Sequence, residues 1–280
     1  MNKKIISILI FGILLNLCFF SIVAARDFSN NKKDFESGSF TSFKIKFLGL
    51  RFFLYKAPAS TPPEDGYPIL FIFHGAVQHA FSWFLPINPW TKQQNMFLED
   101  AIEDGFFIVA PESRRPYLIG PRSWDCFEKD ISKNKDLQLI ENIINWLNNS
   151  NLPVDMNNIF AAGFSSGGFM CSRIGYALSD KFNALSIHSG VNCESIKITI
   201  FGPVFDCETS LDLPDNHPPT IIVHGQKDSV VPFDCAIHFY NELVRHGIDV
   251  NITIAPTGQH IWLSQFNDEI LDFFKNYFAN

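Results

Sequence analysis

Gly163-Phe164-Ser165-Ser166-Gly167 has the residue types and spacing of a nucleophile turn, with a serine flanked two positions away on each side by glycine. The apolar run Ile159 to Ala162, of strand length, leads into it, and Phe169 to Ile174, which suits a helix, leads out. So sharp a strand-to-helix turn brings the residues two before and two after the serine nearly into contact. Both must therefore lack a side chain, and the serine is held in a strained backbone conformation. Its hydroxyl is then presented at the sheet edge, where the Ser166 N–H and the helix dipole can stabilise an oxyanion. The competing reading is a cluster of loop glycines around an incidental serine. A serine hydroxyl attacks well only when a neutral imidazole takes its proton, and that imidazole needs a carboxylate to fix its tautomer and stabilise its cation. Of the eight histidines, His260 follows the last strand-like run and precedes the last helical pattern, in Gly258-Gln259-His260-Ile261-Trp262. The other seven, among them His74, His188 and His224, read as structural. The acid belongs between serine and histidine in the chain, and Asp228 directly follows the penultimate strand-like run. Asp206, Asp212, Asp215 and Asp234 are its rivals, but none directly follows a strand.

The elements that must carry these groups can be read from apolar periodicity. Strand-length runs cover Phe43 to Tyr55 (a hairpin), Pro68 to Phe73, Phe106 to Ala110, Ile159 to Gly163, Ala184 to His188, Thr220 to Val223 and Val250 to Ile254. Several are apolar throughout, as expected for strands buried on both faces. Between them, helical spacing aligns Leu137, Ile140, Ile144 and Leu147, then Ile237, Tyr240, Leu243 and Val244, and finally Phe266, Ile270, Phe274 and Tyr277. Alternating strand and helix predicts an α/β fold with a mainly parallel central sheet and helices on both faces, whose ligands bind at the carboxyl ends of the strands.

Gly-Phe-Ser-Ser-Gly-Gly (163–168), His-Gly-Gln-Lys-Asp-Ser-Val-Val-Pro (224–232) and Gly-Gln-His-Ile-Trp (258–262) resemble the nucleophile, acid and base blocks of the α/β-hydrolase family. They are most similar to its secreted polyhydroxybutyrate-depolymerase and feruloyl-esterase-like branch, in the same chain order. The resemblance implies Ser165 as nucleophile, Asp228 as acid, His260 as base, and the backbone N–H groups of Ala76 and Ser166 as oxyanion hole. Two departures bear on the substrate rather than on the triad. The base block continues Leu263-Ser264 where that branch often has Pro-Gly, and the first block reads His74-Gly75-Ala76-Val77 where a glycine-rich run is usual. The implied activity is hydrolysis of a small-molecule or polymer carboxylic ester through an acyl-enzyme, with no cofactor and no metal. A serine peptidase acting on short peptides and a catalytically silent binding protein are the alternatives.

Residues 1–25 read as a secretory signal peptide, with Lys3-Lys4, an apolar run to Phe20 and small residues before a cut after Ala25. A signal anchor is the alternative; if the segment is cleaved, no stable membrane association is expected. Residues 26–38 form a polar segment, and 39–280 one catalytic domain. Export places Cys126, Cys193, Cys207 and Cys235 where disulfides persist; Cys193–Cys207 is the expected pair, with Cys126–Cys235 by elimination and Cys171 buried and free. The aromatic stretch Phe81 to Trp90 reads as an irregular loop, and Trp83, Phe84, Trp90 and Trp262 are candidates to line an acyl or aryl pocket. Residues 191–218 are too few for a large helical lid. A content of 46% hydrophobic and 18% charged residues over 280 positions excludes fibrous and disordered classes. With 22 Lys+Arg against 29 Asp+Glu and no basic cluster, nucleic acid is not expected as a partner.

Overall fold

The computed structural model describes residues 43–114, 122–199 and 202–279. The signal peptide and the polar segment expected over 1–38 lie outside the described residues. In chain order the elements are β1 (Lys44–Leu48), β2 (Arg51–Lys56), β3 (Tyr67–Phe73), α1 (Phe81–Phe84), α2 (Pro89–Glu103), β4 (Phe107–Pro111), α3 (Lys135–Asn148), β5 (Val154–Phe164) and α4 (Ser166–Ala177). They continue with β6 (Ala184–His188), β7 (Ile196–Thr199), β8 (Gly202–Phe205), β9 (Thr220–Gly225), α5 (Phe233–Arg245), β10 (Val250–Ala255) and α6 (Asn267–Lys275).

Eight strands form one sheet in the order β1-β2-β4-β3-β5-β6-β9-β10. The β1–β2 and β2–β4 pairings are antiparallel and all others in this sheet are parallel. Successive residues of a strand face opposite sides, and here both sides are dry. Ile69, Phe71 and Phe73 of β3 join a cluster with Leu137, Ile140 and Phe239, whereas Leu70 and Ile72 join a second cluster with Phe97, Phe106 and Phe274. Each such buried side chain contributes roughly 1.5–3 kcal/mol relative to exposure, so the continuous apolar runs read above follow directly from a doubly covered sheet.

Two parts of the chain differ from the expectations. Phe81 to Trp90 is irregular only over residues 85–88: it opens with the single-turn α1 and ends with the first two residues of α2. Asn88 caps α2 reciprocally with Thr91, and Pro89 stands in the first turn, where its missing N–H costs nothing. The disulfide joins Cys207 to Cys235, while Cys126, Cys171 and Cys193 are buried and free, so both expected pairings are corrected. Cys193 lies in a short turn after β6, where its amide bonds to the Ser172 hydroxyl of α4. Cys207, just past the β7–β8 hairpin, instead meets Cys235 in the first turn of α5 with Cα atoms 4.4 Å apart. That hairpin is the regular structure of 191–218 apart from one turn of 3-10 helix, among the described residues; Phe201 lies outside them.

Candidate active site

Ser165 leaves β5 with φ 54° and ψ −116°, the left-handed region that side chains rarely occupy. The glycines around it allow this. A Cβ on Gly163 would lie 2.1 Å from the Gly167 carbonyl oxygen, and one on Gly167 would lie 2.0 Å from that of Phe73. The turn therefore places β3, β5 and α4 in backbone contact, and its strain is held by the Ser165 N–H donating to the His188 carbonyl at 2.9 Å.

The structure brings Ser165, Asp228 and His260 together although they follow three different strands, β5, β9 and β10. His260 Nδ1 lies 2.7 Å from Asp228 Oδ2, and His260 Nε2 lies 2.9 Å from Ser165 Oγ. Because an ionised carboxylate only accepts, the proton sits on Nδ1, leaving Nε2 to accept from the serine. The Asp228 side chain is fully buried and that of His260 is 17% exposed, so the imidazole closes the site on one side and opens it to solvent on the other. Burial alone would push the Asp228 carboxyl up. The bond from His260 and those from the Val231 and Val230 amides to Oδ1 hold it below the usual carboxylate range. Asp234 sits in the first turn of α5 and Asp206 beyond β8, and neither bonds to His260 among the described contacts.

Ser166 opens α4, so its N–H has no partner within the helix, and the Ala76 N–H likewise donates to no group among the described residues. These two amides are the ones proposed above for an oxyanion. The loop that carries Ala76 is bonded on either side of it: Gly75 N–H donates to Gln78 Oε1 at 2.7 Å and Val77 N–H to the Arg122 carbonyl at 2.8 Å.

The aromatic pocket candidates are placed otherwise. Trp83, Phe84 and Trp262 are core residues, with Trp83 edge-on to Trp262 at 5.1 Å and Trp262 stacked on His188 at 4.1 Å. Fully enclosed side chains cannot line an open pocket, so that expectation is corrected for these three. Trp90, 64% exposed on the first turn of α2, is the surface aromatic of the set.

Two histidines read above as structural stand beside Asp228 and His260, and a buried glutamate lies beside the loop that carries Ala76. His224 Nε2 lies 3.5 Å from Asp228 Oδ2 and 3.1 Å from the Val231 carbonyl, so it supports the carboxylate from behind. His188 Nε2 accepts from the Leu263 amide at 2.8 Å, fixing the chain just past His260. Burial holds the pKa of both histidines down, which keeps them uncharged beside the site. Glu112 is buried among His79, the Ala80 amide and Arg122. The signal available for all of them was position: each lies at or just beyond the carboxyl end of a strand. No group of three or more His, Cys, Asp or Glu suited to a metal occurs among the described residues.

The profile of the prolyl oligopeptidase family matches residues 203–280, which include Asp228 and His260. Over 238 residues the chain is 26% identical to the poly(3-hydroxyoctanoate) depolymerase of Pseudomonas fluorescens, covering 81% of this chain and 80% of that one. It is 27% identical over 232 residues to a probable dipeptidyl-peptidase 5 of Trichophyton verrucosum, covering 74% of this chain but only 30% of the peptidase's length. Among solved structures, a ferulic acid esterase of Anaeromyces mucronatus superposes with a TM-score of 0.59 at 18% identity, over 89% of this chain and 96% of that one.

Proposed function

We infer that this chain, an α/β-hydrolase by its fold, is a serine hydrolase that cleaves carboxylic esters through an acyl-enzyme. The observation that carries the reading is the unbroken line of hydrogen bonds Asp228–His260–Ser165. In the first half-reaction His260 Nε2 takes the Ser165 proton as Oγ attacks the ester carbonyl. The carbonyl oxygen gains negative charge, which the Ala76 and Ser166 amides receive. The imidazolium, stabilised by Asp228, then gives its proton to the departing alkoxide, and an alcohol leaves. In the second half, water loses a proton to His260 as it attacks the acyl-serine, and the carboxylic acid is released with Ser165 restored. The substrate class follows the depolymerase relative and the esterase neighbour: an ester of a small acid or of a polymer chain.

A second reading is favoured by the prolyl oligopeptidase profile: the same groups would cleave a peptide bond. The two are separated by one panel of p-nitrophenyl esters of rising acyl length, methyl ferulate and a dipeptide amide. Ester turnover at least about 10²-fold above amide turnover is expected; preference for the amide would overturn the ester reading. Export is proposed on residues 1–25, and protein recovered from its host is expected to begin within a few residues of Arg26. No helix among the described residues is long and apolar enough to cross a membrane.

A further inference from the structure

Trp124 belongs to no strand or helix, is 1% exposed, and bonds to both halves of the site. Its indole Nε1–H donates to the His74 carbonyl at 2.8 Å, two residues before Ala76. Its backbone N–H donates to the Ser166 hydroxyl at 3.1 Å. We propose that Trp124 is a positioning residue that sets the distance between the two oxyanion amides, Ala76 N–H and Ser166 N–H. This rests on the ester-hydrolase reading above.

The two amides belong to different elements, the loop after β3 and the start of α4. Two donors on one rigid side chain and its own backbone tie those elements to a common point. Arg122, two residues earlier, accepts from the Val77 N–H, so the Ala76 peptide is anchored on both sides by the same short segment. Val77 itself has φ 58° with an exposed β-branched side chain, a conformation that persists only where surrounding bonds over-determine it.

The segment is in turn fixed from outside the site. Arg122 pairs with the buried Glu112 carboxylate at 2.9 Å, the Asp125 N–H donates to Asp136 Oδ2 at 2.8 Å, and the Cys126 carbonyl accepts from Arg173 Nε of α4 at 2.7 Å. The indole packs edge-on against Phe73 at 5.1 Å, which holds its Nε1–H toward His74. Packing alone requires none of the directed donors. Their convergence on the residues that flank both amides makes this a spacing device. Oxyanion stabilisation depends on donors already standing where charge will develop, so a shift of either amide is felt in the transition state and not in ground-state binding.

Trp124→Phe keeps a buried ring against Phe73 and deletes the Nε1–H, and Ser166→Ala deletes the acceptor of the Trp124 amide. Both are assayed with the wild type and the double variant on p-nitrophenyl butyrate, and for inhibition by an aryl boronic acid, whose tetrahedral adduct mimics the oxyanion. The expected result is a kcat loss of about tenfold in each single variant with KM within about twofold, a matching rise in the boronate inhibition constant, and a double-variant loss smaller than the product. Unchanged kcat and boronate affinity in Trp124→Phe, or a loss carried by KM, overturns the role. Should that variant fail to fold, Ser166→Ala decides by the same criteria. A wild type that turns over no ester and is not labelled at Ser165 by a fluorophosphonate overturns the hydrolase reading and the role together. An active wild type with unaffected variants overturns the role alone.

Discussion

Ser165→Ala should lower ester turnover by on the order of 10⁴-fold or more, because nucleophile and base act as one unit. The thermal midpoint should stay close to that of the wild type, since the hydroxyl makes a single bond, to His260. A fluorophosphonate should modify Ser165 and leave Ser166 free, as read by mass spectrometry of the labelled peptide. Asp228→Asn preserves shape but lets the amide nitrogen face His260 Nδ1, which favours the wrong tautomer. A loss of on the order of 10³–10⁴-fold in kcat is expected, with little change in KM. The convergence of Ser165, Asp228 and His260 was legible because each comes shortly after an apolar run, and a parallel sheet brings such positions to one edge. What could not be read were the groups whose role depends on distant contacts. His224, Trp124 and Glu112 are ordinary residues in the sequence, and only the fold puts His224 beside Asp228, and Trp124 between His74 and Ser166. The aromatic residues 83, 84 and 262 illustrate the reverse error: a bulky apolar side chain near a site looks the same whether it faces a pocket or the core.

At the scale of elements, the Cys207–Cys235 bridge ties the end of the β7–β8 hairpin to α5. It closes a loop of 28 residues, for which chain entropy gives about 3–4 kcal/mol of stabilisation. Replacing both cysteines by alanine should cost about that much in urea unfolding, and peptide mapping without reduction should find this pair and no other. The pairing was not legible because cysteine spacing says nothing of which helix a hairpin leans on. The strands, by contrast, were nearly all visible from continuous apolar runs, whereas β7, β8, α1 and α2 were not read. For α2 the signal was present in Asn88-Pro89, a cap followed by a first-turn proline, but the surrounding aromatics masked it. Gly167→Ala should be far more damaging than a typical helical substitution. A Cβ 2.0 Å from the Phe73 carbonyl must force β3 and α4 apart, and a loss of several kcal/mol, on the order of 3–5, is expected in thermal unfolding.

Over the whole molecule, stability should depend on four buried histidines whose pKa is lowered by burial: His74 to about 4, His217 to about 4, and His188 and His224 in the same direction. In the unfolded chain these groups titrate near 6.5, so below that pH the unfolded state binds more protons than the folded one. Their contribution is complete above about pH 6.5 and is lost as the pH falls from there toward 4, with a limiting slope of about 1.4 kcal/mol per pH unit per histidine. Urea unfolding at pH 7, 6 and 5 should show stability decreasing more steeply than one group could produce. A flat profile over that range would mean that the rings are solvated. Among the described residues, the three thiols that take no part in the bridge give the same molecule a built-in gauge. Cys126, Cys171 and Cys193 are enclosed, and burial raises their pKa, so the native protein presents them neither to solvent nor as thiolates. An alkylating reagent can reach them only during excursions in which the sheet and α4 part, so the rate at which mass is added to each cysteine counts those excursions, with no probe engineered into the chain.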